Sequence, residues 1–332
     1  MKRLVGIVVV VGVLLAVQLL LPSILPNPYY QRILMLCGIS VILAVSLNLV
    51  NGLTGQFSIG HAGFMAVGGY TAAVLTMRVL PPLDQGLRGM GLPDPVSQGV
   101  VLLLALLGGG ALAALAGWAV GLPSLRLRGD YLAIVTLGFG EIIRVVILNI
   151  DAIGGARGLS GVPQYTTFFW VGLWAVIVVV LSYNLLASTH GRAMLAVRED
   201  EVAAEALGID TTRYKVTAFV LSAFFAGVAG GLFAHFDGYL NPSSFTFLRS
   251  IEIVTMVVLG GMGSVSGSVL AAIFLTALPE LLRPVKEYRL VIYAFLLIVL
   301  MITRPQGLMG TRELRLPWTR RKPAGAGAGA TR

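Results

Sequence analysis

Cysteine is nearly absent. Cys37 is the only one, it sits in an apolar run, and no internal disulfide framework can form. Histidine occurs three times, and these residues share no metal-ligand spacing with one another or with the cysteine, so no metal site is expected. The four lysines are Lys2, Lys215, Lys286 and Lys322. None follows the pattern G-x-x-x-x-G-K-[ST], so the chain carries no phosphate-cradling loop. No Ser/His/Asp order or paired carboxylates suggest catalysis. Charge is scarce as well, at 12% of residues, against about 25% in soluble domains. With 57% hydrophobic residues and a mean hydropathy of +0.88, the chain cannot hide its apolar groups in a water-soluble core. It reads as an all-α polytopic membrane protein. The net charge of +9 is concentrated in short segments beside apolar runs, as in cytoplasmic loops next to anionic lipid, and does not imply nucleic acid.

Ten apolar segments are read as crossings: 4–21, 33–50, 65–80, 99–121, 131–150, 170–187, 216–235, 251–259, 268–282 and 290–302. The first is expected to be a retained helix rather than a cleaved signal, because it ends in LPSILPNP without a small-residue cleavage site. Arg126 and Arg128 mark one loop as cytoplasmic, and residues 81–98 are nearly neutral and Pro-rich, as expected outside. Ten crossings put both termini in the cytoplasm. There, residues 306–332 form a basic tail with Arg312, Arg315, Arg320, Arg321 and Lys322, after a single membrane domain at 1–305. Residues 251–282 are read as two crossings joined by the turn GGMGSVSG, with a re-entrant piece as the alternative. The 41 glycines often occur in small-xxx-small spacing, such as Gly108 to Gly110 with Ala114, or Gly227 with Gly231. In lipid, such residues let helix backbones approach closely.

Two stretches break the apolar pattern. Residues 188–215 hold 9 of the 39 charged residues. Asp200 is a good N-cap, Glu201 puts negative charge in a first turn, and Gly208 stands where a left-handed stop is expected, which delimits a helix from Glu201 to Leu207. Val202, Ala203, Ala206 and Leu207 fall on one side of it and Glu201 and Glu205 on another. So short a helix needs packing against something else. The stretch is either a solvated loop or a docking surface for another protein. The second stretch, 48–64, threads Asn48, Asn51, Thr54, Gln56, Ser58 and His61 between glycines. It is either a broken helix facing protein or a water-filled path, or a polar turn at the cytoplasmic surface.

Other charges lie in apolar helices. Glu141 and Arg144 at i and i+3 share a face and are expected to pair, either to fix packing or to take part in gating. His235 and Asp237 are expected to share an interfacial hydrogen bond, Glu252 to pair or reach the interface, and Glu280 and Arg283 to repeat the i, i+3 arrangement.

SLNLVNGLTGQFSIGHAGFMAVGGYTAA at 46–73 resembles the signature of the permeases of branched-chain amino acid ABC importers. The segments LRLRGDYLAIVTLGFGEIIRVVILN at 125–149, GGARGLSGVP at 154–163, GRAMLAVREDEVAAEALGID at 191–210 and GGMGSVSGSVLAA at 260–272 are similar to its M-type subunit. The spacing Glu201-x-Ala203-Ala204-x-x-x-Gly208 resembles the EAA loop that docks on a cytoplasmic ATPase. The resemblance covers roughly residues 30–305. It implies a type II importer-like permease of the bacterial inner membrane, embedded in lipid and paired with a second, homologous permease. It also implies two ATP-binding subunits, an extracytoplasmic substrate-binding protein, and no cofactor on this chain. It points to Asn48, Asn51, Gln56, Ser58 and His61 as substrate pathway. Arg192, Arg198, Glu201, Ala203, Ala204, Glu205 and Gly208, within a loop at 188–212, would serve ATPase coupling. Related permeases carry urea or amides. An ion-coupled carrier acting alone is the alternative from another class.

Overall fold

Where the sequence alternates between apolar runs and short polar breaks, the chain alternates between helices and capped turns. The structure is a computed structural model that describes residues 2–125, 130–283, 288–304 and 307–310. Arg126, Arg128 and the basic residues from Arg312 onward lie outside the described residues. Helix α1 spans Lys2–Ile24, α2 Pro28–Asn51 and α3 His61–Val74, which runs on as a π-helical turn, Leu75–Val79. Then come α4 (Pro81–Gly89), α5 (Asp94–Ser124), α6 (Asp130–Leu148) and α7 (Phe168–Ala187). The charged stretch forms α8 (Thr189–Glu199) and α9 (Glu201–Ala206), and α10 (Thr211–Asp237) follows. Helices α11 (Phe247–Gly260), α12 (Val265–Leu281) and α13 (Arg289–Thr303) complete the series. Two short strands, β1 (Leu159–Ser160) and β2 (Tyr239–Leu240), pair antiparallel with Leu159 opposite Leu240.

Each of the ten apolar segments falls on a helix. Among the described residues, six helices are long and apolar enough to cross a bilayer: Pro28–Asn51, His61–Val79, Asp94–Ser124, Tyr131–Leu148, Phe168–Ala187 and Thr211–Asp237. Helix α11 has 14 residues, about 21 Å at 1.5 Å per residue, which falls short of a hydrocarbon layer of about 30 Å.

Helix α2 starts at Asn27, whose side chain accepts from the Tyr29 N–H, and Pro28 supplies the preset φ of a first turn. From Met35 onward it is enclosed by neighbours. Helices α3, α5 and α10 meet through glycine. A Cβ on Gly227 would lie 2.9 Å from the Gly109 carbonyl oxygen and 3.1 Å from the Gly110 Cα, and one on Gly69 would lie 3.0 Å from the Gly230 oxygen. Backbone therefore packs on backbone, as the small-residue spacing predicts.

The π turn has a local cause. Thr76 Oγ1 lies 2.9 Å from the Ala73 carbonyl and 2.9 Å from His235 Nε2, and its single proton goes to the ring nitrogen because Nδ1 carries the ring's own proton, so a side chain enters the helical ladder. His235 is fully buried, and its Nδ1 donates to the Gly231 carbonyl at 2.8 Å. The expected bond to Asp237 is replaced, because the ring points into the core while Asp237 pairs with Arg32 at 2.7 Å.

The helix ends gather in two layers. In one, Tyr29 donates to Glu280, Arg283 stacks over the Tyr29 ring, Arg32 meets Asp237, and β1 and β2 pair. Glu280 and Arg283 thus both turn to Tyr29. In the other, the C-termini of α2, α8 and α11 converge.

Candidate functional site

Residues 52–60 join α2 to α3; the N–H groups of Gly52, Leu53, Thr54 and Gln56 still reach the Asn48 and Val50 carbonyls, and those further along need other acceptors. Side chains supply them. Asn51 Oδ1 accepts from the Ser58 N–H at 3.2 Å, Thr136 Oγ1 of α6 from Ile59 at 3.1 Å, and Ser250 Oγ of α11 from Ala62 at 3.1 Å. Gly60 at the N-cap of α3 has no side chain to offer, so Ser250 performs the cap from another helix. A Cβ on Gly63 would lie 2.9 Å from the Gly140 Cα, so glycine on both sides brings the start of α3 and α6 into contact.

Asn48 Oδ1 accepts from the Gly263 N–H at 2.8 Å, which ties α2 to the turn between α11 and α12. His61 Nε2 lies 3.0 Å from Ser46 Oγ. That hydroxyl already donates to the Leu43 carbonyl, so the ring nitrogen is the donor. Asn48, Asn51, Ser58 and His61 are buried, and Gln56 is half-exposed with its amide near the Thr54 carbonyl. The five lie along one break: Asn51 holds its backbone at Ser58, while Asn48 and His61 tie its two ends to Gly263 and Ser46.

The second break, 238–246, precedes α11. Glu141 spans it from α6: Oε2 accepts from Arg144 Nε at 2.7 Å, and Oε1 accepts from the Phe247 N–H at 3.1 Å. A carboxylate at a helix N-terminus meets the positive end of its dipole. The i, i+3 pair therefore caps α11 as well as neutralising Arg144. On α11 itself, Arg249 Nη1 meets Glu252 at 2.8 Å, which gives Glu252 the pairing expected of it.

The charged stretch is more ordered than a loop. Ser188 caps α8 by accepting from Gly191, and Asp200 caps α9 by accepting from Val202 and Ala203. Gly208 ends α9 at φ 80°, a left-handed conformation that favours glycine. Helix α9 stops at Ala206, one residue before the expected end, and packs through Ala204. Its neighbours belong to its own chain: Glu205 accepts from Thr211 at 2.8 Å, and Glu201 meets Lys215 of α10 at 2.6 Å. The Lys215 side chain is 2% exposed. Val202 of α9 and Leu207 at its C-cap, both large and apolar, are instead 63% and 81% exposed and face away from the chain.

Arg198 joins this module to the first break. Its Nη1 donates to the Gly52 carbonyl at 2.8 Å, beside Gly263. A Cβ on Gly55 would lie 3.0 Å from the Arg198 Cγ. The guanidinium sits where α2 and α11 end, at the negative ends of two helix dipoles. Arg192 lies on the exposed side of α8 and reaches the Ala187 carbonyl at 3.4 Å, and Ala203 is exposed on α9.

Sequence reasoning missed Thr136, Ser250, Arg249 and Lys215. The first two act in trans on a distant backbone, which has no local signature. Arg249 stands at i−3 from Glu252, a signal that was available.

Comparisons agree across most of the chain. The family model described as branched-chain amino acid transport system / permease component matches residues 29–303. The high-affinity branched-chain amino acid transport system permease protein LivM of Salmonella typhimurium is 41% identical over 306 residues, covering 82% of this chain and 68% of that protein. The LivM of Escherichia coli is 40% identical over the same length, and the LivH permease of Escherichia coli is 26% identical over 297 residues. No solved structure matches. With a family match that includes both breaks, the capped charged module and the α6 pair, this chain belongs to the permease component family of branched-chain amino acid transport systems.

Proposed function

We propose that the chain is one of two permeases in an ATP-driven importer of branched-chain amino acids in the bacterial inner membrane. It crosses ten times with both termini cytoplasmic, and works with a second, homologous permease, two ATPases and an external binding protein. Support for the pairing comes from relatives of two kinds, since both LivM and LivH proteins are similar to this chain. ATP is held by the partner ATPases.

The observation that carries the reading is α9: a helix capped at one end, stopped by a left-handed glycine at the other, held from behind, and presenting Val202 and Leu207 to solvent. In this role Glu201 and Glu205 anchor the helix, while its outer face takes the ATPase. A push on α8 and α9 travels by two routes, through Arg198 to the ends of α2 and α11 and through Glu201 to α10. Arg192, Ala203, Ala204 and Gly208 shape the docking face. On the pathway side, Asn48, Asn51 and His61 hold the break and its ends, Ser58 lies buried within it, and Gln56 is the member of the set whose side chain reaches the surface.

The test is co-purification in mild detergent followed by an ATP hydrolysis assay. Val202→Asp and Leu207→Asp are expected to release the ATPases while the chain stays inserted and bound to the second permease. ATPases retained by both variants would remove the docking face. Recovery of the chain alone, with uptake driven by an ion gradient, would overturn the importer reading.

A further inference from the structure

We propose that Arg249 and Glu252 of α11, beside Glu141 and Arg144 of α6, form this chain's half of a site for the charged groups of an amino-acid zwitterion. The inference rests on the importer reading and adds a substrate site to it.

Depth is the first argument. The C-terminal end of α11 is fixed to that of α2, because Asn48 Oδ1 accepts from Gly263 and Arg198 bonds Gly52 beside it. From Gly260, Glu252 is 8 residues and Arg249 11 residues back along the helix, about 12 and 17 Å at 1.5 Å per residue. Ser250, between them, bonds the first turn of α3 at the break. Measured from the end of α2, both charges lie well inside an apolar layer of about 30 Å.

Exposure is the second argument. At this depth the Glu252 side chain is 51% exposed and that of Arg249 25%. Lipid does not host such a pair, so this face meets water or protein. Charge balance is the third. The Glu141 carboxylate caps Phe247, two residues before Arg249, so two cations and two anions flank the start of α11 with no net charge. A zwitterion is matched by that arrangement: guanidinium for its carboxylate, carboxylate for its ammonium. Leu248, one turn before Glu252 and 69% exposed, offers apolar surface to an aliphatic side chain.

The experiment uses the whole importer in proteoliposomes with its binding protein. Arg249→Gln and Glu252→Gln are each expected to lower leucine uptake per ATP hydrolysed by about tenfold or more, the loss of one charge-assisted contact. Both ATPases and the second permease should still co-purify, and basal ATP hydrolysis should be unchanged. In a Cys37→Ala background, Glu252→Cys in the assembled complex is expected to react with a water-soluble methanethiosulfonate and to be protected by leucine with its binding protein. No reaction, or reaction without protection, overturns the site. So does full uptake by the charge-exchanged R249E/E252R pair, which would mean that the pair only holds the helix. Loss of the second permease from the variants would make these residues an interface and overturn the site too. Normal uptake by both single variants overturns this proposal alone, whereas a wild-type complex without ATP-driven leucine uptake overturns the importer reading and this proposal with it.

Discussion

Two ion pairs contradict the usual link between location and burial. Glu201–Lys215 belongs to the most charged stretch of the chain, where solvation is the natural expectation, yet its ammonium is enclosed. Arg249–Glu252 belongs to an apolar helix that starts beside a break, yet its carboxylate stands half open. A charge is buried when it has a structure to fasten, and Lys215 fastens α9 to α10. On the proposed topology the second pair lies within the membrane, where a charge stays open only if something other than lipid meets it. The first pair is therefore part of the fold, and the second is available.

The largest expected effect breaks the first pair. Glu201→Ala leaves a buried ammonium without its counter-charge and should cost about 3–5 kcal/mol, read as a lower thermal midpoint in detergent. Adding Lys215→Met should recover most of that loss, because an apolar pair of similar volume is often neutral. An unshifted midpoint in the single variant would mean that the ammonium is not held by Glu201.

Next is the α11 cap. Glu141→Leu removes a charge-assisted acceptor and should cost about 1.5–3 kcal/mol, while Glu141→Gln keeps an acceptor for Phe247 and should cost less. Equal losses would show that the charge, not the cap, is what matters. Ser250→Ala follows, at about 1–3 kcal/mol for a buried N–H left without its acceptor. Hydrogen exchange at Ala62 should rise in that variant, and unchanged protection would remove the capping role.

A smaller effect concerns the layer opposite α8. There the Ser97 hydroxyl, donating at 2.5 Å, holds the Asp84 carboxyl below the usual carboxylate range, Arg88 adding to it and partial burial opposing it. A depressed folded pKa means that this stabilisation is complete above the ordinary carboxylate range and fades as pH falls toward the folded value. Ser97→Ala should move the Asp84 titration upward, measurable by carboxyl isotope shifts across acid pH. The smallest change closes the comparison: Glu252→Gln should alter stability by no more than about 0.5 kcal/mol. A loss like that of Glu201→Ala would make the two pairs alike.

Features that live within a few residues were legible in the sequence. Asp200 and Gly208 mark their helix because caps and left-handed stops depend on local backbone geometry. Apolar runs mark helices for the same reason. Helix α8 was harder to read, since its buried Met194 and Val197 are outnumbered by charge, although Ser188 at its cap was a usable sign. Helix α4 was hidden in a segment that looked like a Pro-rich loop, where Pro81 and Pro82 open a helix and Asp84 lies in its first turn. The site was legible only in part. Asn48 to His61 stands out by polarity, but the groups that complete it, Thr136 and Ser250, are ordinary hydroxyls 77 and 188 residues from the N–H groups they serve. Lys215 looked like one more loop charge because its burial is decided by α9 folding back on it.

The glycine seam among α3, α5 and α10 has a mechanical consequence. Where backbone touches backbone no side chain can change rotamer to absorb a displacement, so the three helices form a joint without play. Under the proposed coupling, a displacement reaching α2 through Arg198 or α10 through Lys215 would be passed on by such a core rather than absorbed in bending it.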